Sequence, residues 1–513
     1  MRDALSTCRS TCVKEERATR DQWIPSRLLD VMAGPTEASG STIRLVEKKD
    51  MNPECLETME YLTLSHQWGA KEPFHLTLDT LLDFKHKGLS MEYLPRRFQD
   101  AISLTRRLGV RYIWIDTLCI IQNSRDDWAS ESRVMDKVYL NSLCTIAASD
   151  GTDATCGLFT KRDPSMAMFS CQQQFRGREI EFQVVPEWIE VVREHCSLYK
   201  RGWVTQERFL SPRLLQLCAF PFYECRCGIQ NEISQNPSNR TEIESVSHRT
   251  WASEPGSTSF ESISRWLGIV REYRKASLTY SSDMMVAIGG LARKFAEITG
   301  EQYLAGIFTG EHMAVGMLWF SEGSPEHGHT QTYVAPSWSW ASASGGIRNF
   351  SSLPAKESLF EMMSYRISPL PGHDHFGQLE ACTLQLRCLV IQLHDFRSSI
   401  DLASVDEPFN KGKWDMKPTD GERKVDLNKD LFFLPLAYLS RHVSTEPCIG
   451  IGGIYVQAID ADAAEDVRYQ RVGCAIYEIE EDEVSLLDTK VWNSLRSHEM
   501  SSLEAYRNTI ELV

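Results

Sequence analysis

The pattern of apolar and polar positions in the first half of the chain predicts strands and helices in alternation. Tyr61–Leu64 and Tyr112–Ile115 are short apolar runs with the β-branched and aromatic residues that favour buried strands. Between them, an amphipathic helix begins at Leu94 and is closed by Gly109. Leu143–Ala148 is a further apolar run. This alternation predicts an α/β fold with a mainly parallel sheet and flanking helices.

Polar side chains follow the ends of two of these predicted strands. Ser65, His66 and Trp68 come directly after the first, and Asp116 follows the second. Ligands of α/β sheets bind beyond the carboxyl ends of the strands, where such residues meet at one edge. We therefore expect a binding or catalytic site at this edge, although Trp68 could instead pack over the sheet as part of a structural turn.

The predicted helix after Asp116 carries a glutamate in an unusual position. Glu131 lies within the apolar stripe formed by Trp128, Met135, Val138 and Tyr139. A carboxylate in such a stripe either takes part in chemistry or forms a buried ion pair, and its burial raises its pKa. The ion pair would need a cation, and the candidates are Arg97, Arg201 and Arg208.

The 513 residues are too many for one compact core, so more than one domain is expected. We predict a lead-in over residues 1–42, a domain over 43–230 with its motifs in 61–207, and a Ser/Asn/Glu/Pro-rich linker over 231–259. Residues 260–513 read as a helical and then β-rich, α+β region.

Composition excludes some classes of function. The formal charge of −15 argues against nucleic-acid binding, and no apolar run is long enough to span a membrane. The N-terminus lacks a signal-peptide core, so the fifteen cysteines are expected to be reduced in the cytoplasm. Cys196, Cys218 and Cys225-Arg-Cys227 match no zinc spacing, so buried thiols are expected there and no metal site.

Several stretches together resemble the heterokaryon-incompatibility (HET) domain of filamentous fungi. They cover about Tyr61 to Glu207, and one departure is His66, where that family often has tyrosine. The matching stretches are Tyr61-Leu-Thr-Leu-Ser-His-Gln-Trp-Gly69, Leu94-Pro-Arg-Arg-Phe-Gln-Asp-Ala101, Arg111-Tyr-Ile-Trp-Ile-Asp-Thr-Leu-Cys-Ile-Ile-Gln122, Asp127-Trp-Ala-Ser-Glu-Ser132 and Arg201-Gly-Trp-Val-Thr-Gln-Glu-Arg-Phe-Leu-Ser-Pro-Arg213.

The resemblance implies non-self recognition that triggers programmed cell death. HET domains are also similar to Toll/interleukin-1-receptor (TIR) domains, which implies a flavodoxin- or TIR-like sheet and, in some members, cleavage of NAD⁺. Trp128-Ala-Ser-Glu131 resembles the catalytic stretch of those enzymes. On this resemblance NAD⁺ is a possible substrate and no cofactor is required. The candidate catalytic residues are Glu131 and Asp116, and the candidate NAD⁺-binding residues are Ser65, His66, Trp68 and Trp128.

Three classes of function remain open from the sequence. The first is an NAD⁺-consuming death effector, an NAD⁺ glycohydrolase. The second is a non-enzymatic module that self-associates and recruits protein partners, with Glu131 in an ion pair. The third is a hydrolase with Cys119 as nucleophile, His66 as base and Asp116 as orienting group. Cys119 lies inside an apolar run, which favours an inert core thiol.

Overall fold

The computed structural model divides into two compact units, residues 1–254 and residues 255–513. The structure describes residues 23–33, 42–69, 74–151, 155–159, 169–175, 178–184, 196–218, 221–225, 228–231, 259–322, 333–349, 354–392, 411–414, 431–443, 446–459, 467–478 and 507–513. The predicted linker lies almost wholly outside these ranges and stays a prediction.

The first unit is built on a nine-stranded mixed sheet and a separate two-stranded hairpin. Its strands are β1 (Arg27–Asp30), β2 (Thr42–Glu47), β3 (Tyr61–Ser65), β4 (Leu89–Ser90), β5 (Tyr112–Ile115), β6 (Cys144–Ala148), β7 (Phe169–Phe175), β8 (Arg178–Val184), β9 (Arg213–Leu217), β10 (Phe222–Cys225) and β11 (Gly228–Asn231). The order in the sheet is β11-β10-β9-β6-β3-β5-β1-β2-β4, and β7 and β8 form the hairpin.

The centre of this sheet is parallel and its margins are antiparallel. Strands β9, β6, β3 and β5 run parallel to one another. Antiparallel pairs add β1, β2 and β4 on one side and β10 and β11 on the other. The predicted α/β class is confirmed, but the mainly parallel arrangement holds for the central strands alone. Short connections join β9 to β10 and β10 to β11, as antiparallel pairing allows, whereas β1 and β4 pair antiparallel with strands far from them in the sequence.

Helices connect and cover the parallel strands. Those of the first unit are α1 (Pro53–Leu56), α2 (Leu81–His86), α3 (Arg96–Arg107), α4 (Asp116–Cys119), α5 (Arg125–Arg133), α6 (Met135–Leu140) and α7 (Gly202–Leu210). The predicted amphipathic helix is α3, whose Phe98, Ala101 and Ile102 are fully buried. Gly109 follows it with a φ of 75°, the left-handed conformation that glycine adopts at least cost.

The predicted helix around Glu131 is broken into two. Val134 has a φ of −109° and a ψ of 7°, which separates α5 from α6. The break changes the direction of the stripe, so Met135, Val138 and Tyr139 are buried while Trp128 is 38% exposed. The single continuous apolar stripe predicted from the sequence is therefore wrong for Trp128.

In the second unit helices precede most of the strands. They are α8 (Ser259–Lys275), α9 (Val286–Thr299) and α10 (Met313–Met317). The strands are β12 (Tyr303–Leu304), β13 (Ile307–Phe308), β14 (Trp319–Glu322), β15 (Gly346–Asn349), β16 (Ala355–Ser358), β17 (Glu361–Pro369), β18 (Leu379–Leu389), β19 (Ile391–Gln392), β20 (Lys411–Trp414), β21 (Leu431–Val443), β22 (Glu446–Ala458), β23 (Arg468–Glu478) and β24 (Arg507–Leu512).

The large sheet of this unit closes on itself. Its order is β16-β21-β22-β23-β24-β18-β17, and β19, which continues β18, pairs with β21.

Trp338 and Trp340 are fully buried, and Trp340 Nε1 donates a hydrogen bond of 2.8 Å to the carbonyl of Gly306. No helix in the part of the chain that the structure describes is long and apolar enough to cross a lipid bilayer.

Candidate functional site

The structure brings the two predicted strand ends together. Strands β3 and β5 are parallel neighbours with Leu64 opposite Ile115, so Ser65 and Asp116 leave the sheet at the same edge. Ser65 is 2% exposed, whereas the Asp116 side chain keeps 18% of its surface open to solvent. A buried hydroxyl and a partly open carboxylate therefore lie at the carboxyl edge of the parallel strands, where α/β sheets bind ligands.

Asp116 is the polar centre of this edge. Its Oδ2 accepts a hydrogen bond of 2.7 Å from Trp68 Nε1, and its Oδ1 accepts one of 2.8 Å from the Thr117 backbone N–H. His66 Nδ1 lies 3.5 Å from Asp116 Oδ1. These contacts fix the orientation of the carboxylate and leave its exposed side free to meet a ligand.

His66 is a buried, neutral imidazole. It is 2% exposed and packs edge-on against Phe98, with 5.2 Å between the ring centroids. Burial, assisted by the positive charges of Arg201 and Arg97, lowers the pKa of His66 to about 4, although Asp116 acts in the opposite direction. His66 is therefore uncharged at neutral pH.

Two arginines hold the loop that carries His66. Arg201 Nη1 donates to the carbonyl of His66, and Arg97 Nη1 donates to the carbonyl of Gln67 over 3.2 Å. Arg97 Nη2 also donates to the carbonyl of Asp150 over 3.1 Å. Both arginines were expected from the sequence as partners of Glu131, and the structure assigns these bonds to loop carbonyls instead.

Glu207 on α7 joins the same edge and was missed by the sequence analysis. It is 5% exposed, and its Oε2 has no hydrogen-bond partner within the described residues. Burial raises the pKa of Glu207 to about 7, and the negative charge of Asp116 also raises it. The Ser65 hydroxyl and the Arg201 guanidinium oppose that rise. We refer to Ser65, His66, Trp68, Asp116 and Glu207 as the strand-end cluster.

The raised pKa of Glu207 makes a prediction about stability. In the folded chain the Glu207 carboxyl group stays protonated below about pH 7. In the unfolded chain it loses its proton above the ordinary pKa near 4.5. The parent should therefore gain up to ~3 kcal/mol relative to Glu207→Gln as the pH falls from about 8 to about 5. Urea unfolding of both proteins across this range measures the difference. A difference that does not change with pH would contradict the assignment.

Glu131 is sealed in an ion pair away from solvent. It is 5% exposed, and its Oε1 lies 3.4 Å from Nη2 of Arg27, whose side chain is also buried. Arg27 Nη1 donates a second bond of 3.0 Å to Asp127 Oδ1. Burial raises the pKa of Glu131, and the Arg27 charge lowers it. The cation that pairs with Glu131 is therefore Arg27 of β1, and not the expected Arg97, Arg201 or Arg208. Arg208 Nη2 instead lies 3.6 Å from Glu224 Oε2.

The candidate cysteines that the structure describes are buried thiols. Burial raises the pKa of the Cys119 thiol to about 12, so its thiolate is scarce at neutral pH and nucleophilic attack is disfavoured. Cys196 and Cys218 pack with Phe222 in a hydrophobic cluster. Among the described residues, no three histidine, cysteine or acidic side chains are grouped to hold a metal ion.

Comparison with known proteins agrees with the motifs. No curated protein matches the chain, and no solved structure matches it. Residues 61–207 match the family model described as heterokaryon incompatibility protein (HET). These residues include β3, β5, Asp116 and Glu207, so all of the strand-end cluster lies within the match. The chain thus carries a heterokaryon-incompatibility (HET) domain at residues 61–207.

Proposed function

We propose that this chain is a non-self-recognition and cell-death effector whose HET domain hydrolyses the N-glycosidic bond of NAD⁺ at the strand-end cluster. The observation that carries the proposal is the pair of carboxyl groups at one edge of the parallel strands. Asp116 is oriented by Trp68 and partly open, and Glu207 is buried with a pKa of about 7. Paired carboxyl groups in different environments are the usual equipment of glycoside hydrolysis.

Asp116 would stabilise the charge that develops during cleavage. When the bond between ribose C1′ and the nicotinamide nitrogen breaks, its electron pair leaves with neutral nicotinamide. The ribosyl centre becomes oxocarbenium-like and positive, and a nearby carboxylate lowers the energy of that state. The open side of the Asp116 carboxylate suits this role. Glu131 does not suit it, because Arg27 already neutralises its charge.

Glu207 would take the proton that the attacking water loses. Water adds its oxygen to C1′, and the products are ADP-ribose, nicotinamide and one proton. A carboxylate with a pKa near 7 is a matched base at neutral pH, and it would pass the proton on to solvent. Turnover should therefore rise with pH through about 7 as Glu207 loses its own proton.

Trp68 is the better of the two tryptophans for orienting the nicotinamide ring. Its indole Nε1 is bonded to Asp116, so the ring plane is fixed beside the reacting carboxylate. Trp128 lies on α5, and its 38% exposure shows that it is not part of the core. A role for Trp128 in binding the nucleotide stays a prediction.

The test is release of nicotinamide from NAD⁺ by the full chain, both free and clustered by a bivalent antibody against an added tag. Glu131→Gln should retain turnover within a few-fold, while stability falls by about 1–3 kcal/mol because buried Arg27 loses one of its carboxylates. The opposite result, lost turnover at unchanged stability, would assign the catalytic role to Glu131. If the parent released no nicotinamide either free or clustered, the proposed NAD⁺ hydrolysis would be rejected.

A specific observation favours a second candidate, a non-enzymatic signalling module. Ser65 and His66 are each 2% exposed and Glu207 is 5% exposed, which a purely structural polar network would also show. In that case Asp116→Asn should change stability or partner binding, and NAD⁺ should not raise the melting temperature of the parent. Binding of NAD⁺ would raise it by mass action.

A further inference from the structure

Strand β17 is an open edge of the closed sheet in the second unit. It pairs with β18 on one side, and no strand among the described residues pairs with its other side. All nine of its residues are exposed or half-buried, including Met363 at 50% and Tyr365 at 36%. A long exposed edge strand presents unpaired backbone N–H and C=O groups to any strand that can pair with it.

The pairing of β17 with β18 fixes which way its side chains point. Tyr365 lies opposite the buried Leu384, so Tyr365 points to the core side of the sheet, and Met362, opposite the buried Leu386, does the same. The register shifts between Met362 and Ser364, which leaves Met363 as a bulge. Because Arg366 neighbours Tyr365 along the strand, it points to the outer face.

Glu361 also points to the outer face, because it neighbours Met362 along the strand. The outer face of this edge therefore carries one acidic side chain, Glu361, and one basic side chain, Arg366, at the two ends of a short segment. The core-side face carries Met362 and Tyr365 between them. Both charged residues are exposed.

This sequence is complementary to itself in one antiparallel register. With a two-fold axis between Met363 and Ser364, Glu361 of one copy lies opposite Arg366 of the other, and the pair occurs twice. The same register places Met362 opposite Tyr365, also twice. Directly opposed residues must share a face in an antiparallel pair, and both pairings satisfy this condition. A register centred on Arg366 would instead set two like charges against each other.

We propose that β17 pairs with β17 of a second copy of this chain and joins two closed sheets into one continuous sheet across a two-fold axis. The contact is isologous, so it closes at a dimer and does not propagate. Main-chain hydrogen bonds would hold the strands together, and the two Glu361–Arg366 pairs would select the register. The inference concerns the second unit and does not depend on NAD⁺ hydrolysis.

The test uses two charge reversals that are complementary to each other. In a homodimer, Glu361→Arg sets the introduced arginine against Arg366, and Arg366→Glu sets the introduced glutamate against Glu361. Each variant alone should therefore dimerise at least about tenfold more weakly than the parent. An equimolar mixture of the two variants restores opposite-charge pairing across the axis. Sedimentation equilibrium of the full chain should show dimers in the parent and in the mixture.

Lys356→Glu on β16 is the matched control for Arg366→Glu, since it also replaces a positive charge by a negative one at an exposed position, but on a different strand. It should leave the dimerisation constant within about twofold of that of the parent. Monomeric parent protein at about 100 μM would overturn the proposal, and so would a mixture that dimerises no better than each variant alone. Dimers that survive both reversals would place the contact elsewhere.

Discussion

Arg27→Met is expected to lower the free energy of unfolding by ~3 kcal/mol or more. Methionine fills a similar volume but leaves the buried Glu131 carboxylate without its cation, and Asp127 loses a 3.0 Å bond. The loss should be smaller at about pH 5 than at about pH 8, because an unpaired Glu131 avoids the cost by taking up a proton. Chemical denaturation at both pH values measures the change.

Arg133→Met is the control for this substitution. Arg133 is an exposed residue of the same helix as Glu131, so its replacement should change stability by no more than about 0.5 kcal/mol. Equal losses of unfolding free energy in Arg27→Met and Arg133→Met would show that the buried ion pair of Arg27 does not stabilise the fold. An equal loss of stability at both pH values would show that Glu131 is not the buried group that Arg27→Met leaves unpaired.

Asp116→Asn is expected to lower the rate of nicotinamide release by about 100- to 1000-fold, the usual effect of removing one electrostatic contact to a transition state. Asparagine keeps the shape but has one acceptor oxygen, so it retains the hydrogen bond from Trp68 Nε1 or the one from the Thr117 N–H and loses the other. The expected loss is in turnover, since the charge matters only when the ribosyl centre becomes positive. Initial rates over a range of NAD⁺ concentrations separate this from weaker binding.

Asp126→Asn serves as the comparison, because it removes one negative charge at an exposed position on the segment that follows Asp116. It should leave the rate within about twofold of that of the parent. An Asp116→Asn variant with the rate of the parent would remove Asp116 from the reaction. A variant that is inactive but also unfolded would be replaced by Trp68→Phe, which frees Asp116 Oδ2 of its donor and should lower the rate with less strain.

The centre of the sheet could be predicted from the sequence because local patterns determine it. The apolar runs at β3, β5 and β6 and the amphipathic α3 each carry their signal within a few neighbouring residues. The rule that parallel strands end at one edge was then sufficient to group Ser65 with Asp116. The antiparallel margins escaped prediction because the partner of an edge strand is not encoded by its own periodicity.

The two most informative carboxyl groups could not be placed in the same way. Glu131 and Arg27 are 104 residues apart, and Glu207 is brought to Ser65 only when α7 packs beside the sheet. An isolated glutamate at helical spacing has many possible arginine partners, and the three expected ones, Arg97, Arg201 and Arg208, belong to the motifs. Burial of Glu207 depends on contacts among several elements, so no local pattern reports it.

The closed sheet of the second unit also has a consequence for the kinetics of folding. Strand β24 lies between β18 and β23 and therefore joins residues 379–389 to residues 507–512 across more than a hundred intervening residues. Until those residues have been synthesised, β18 pairs with β17 alone, and the edge that β24 will cover stays unpaired. Contacts of such long range slow folding and prolong exposure to aggregation. During synthesis this unit should therefore depend on chaperones more heavily than the first unit, whose central strands pair over shorter distances.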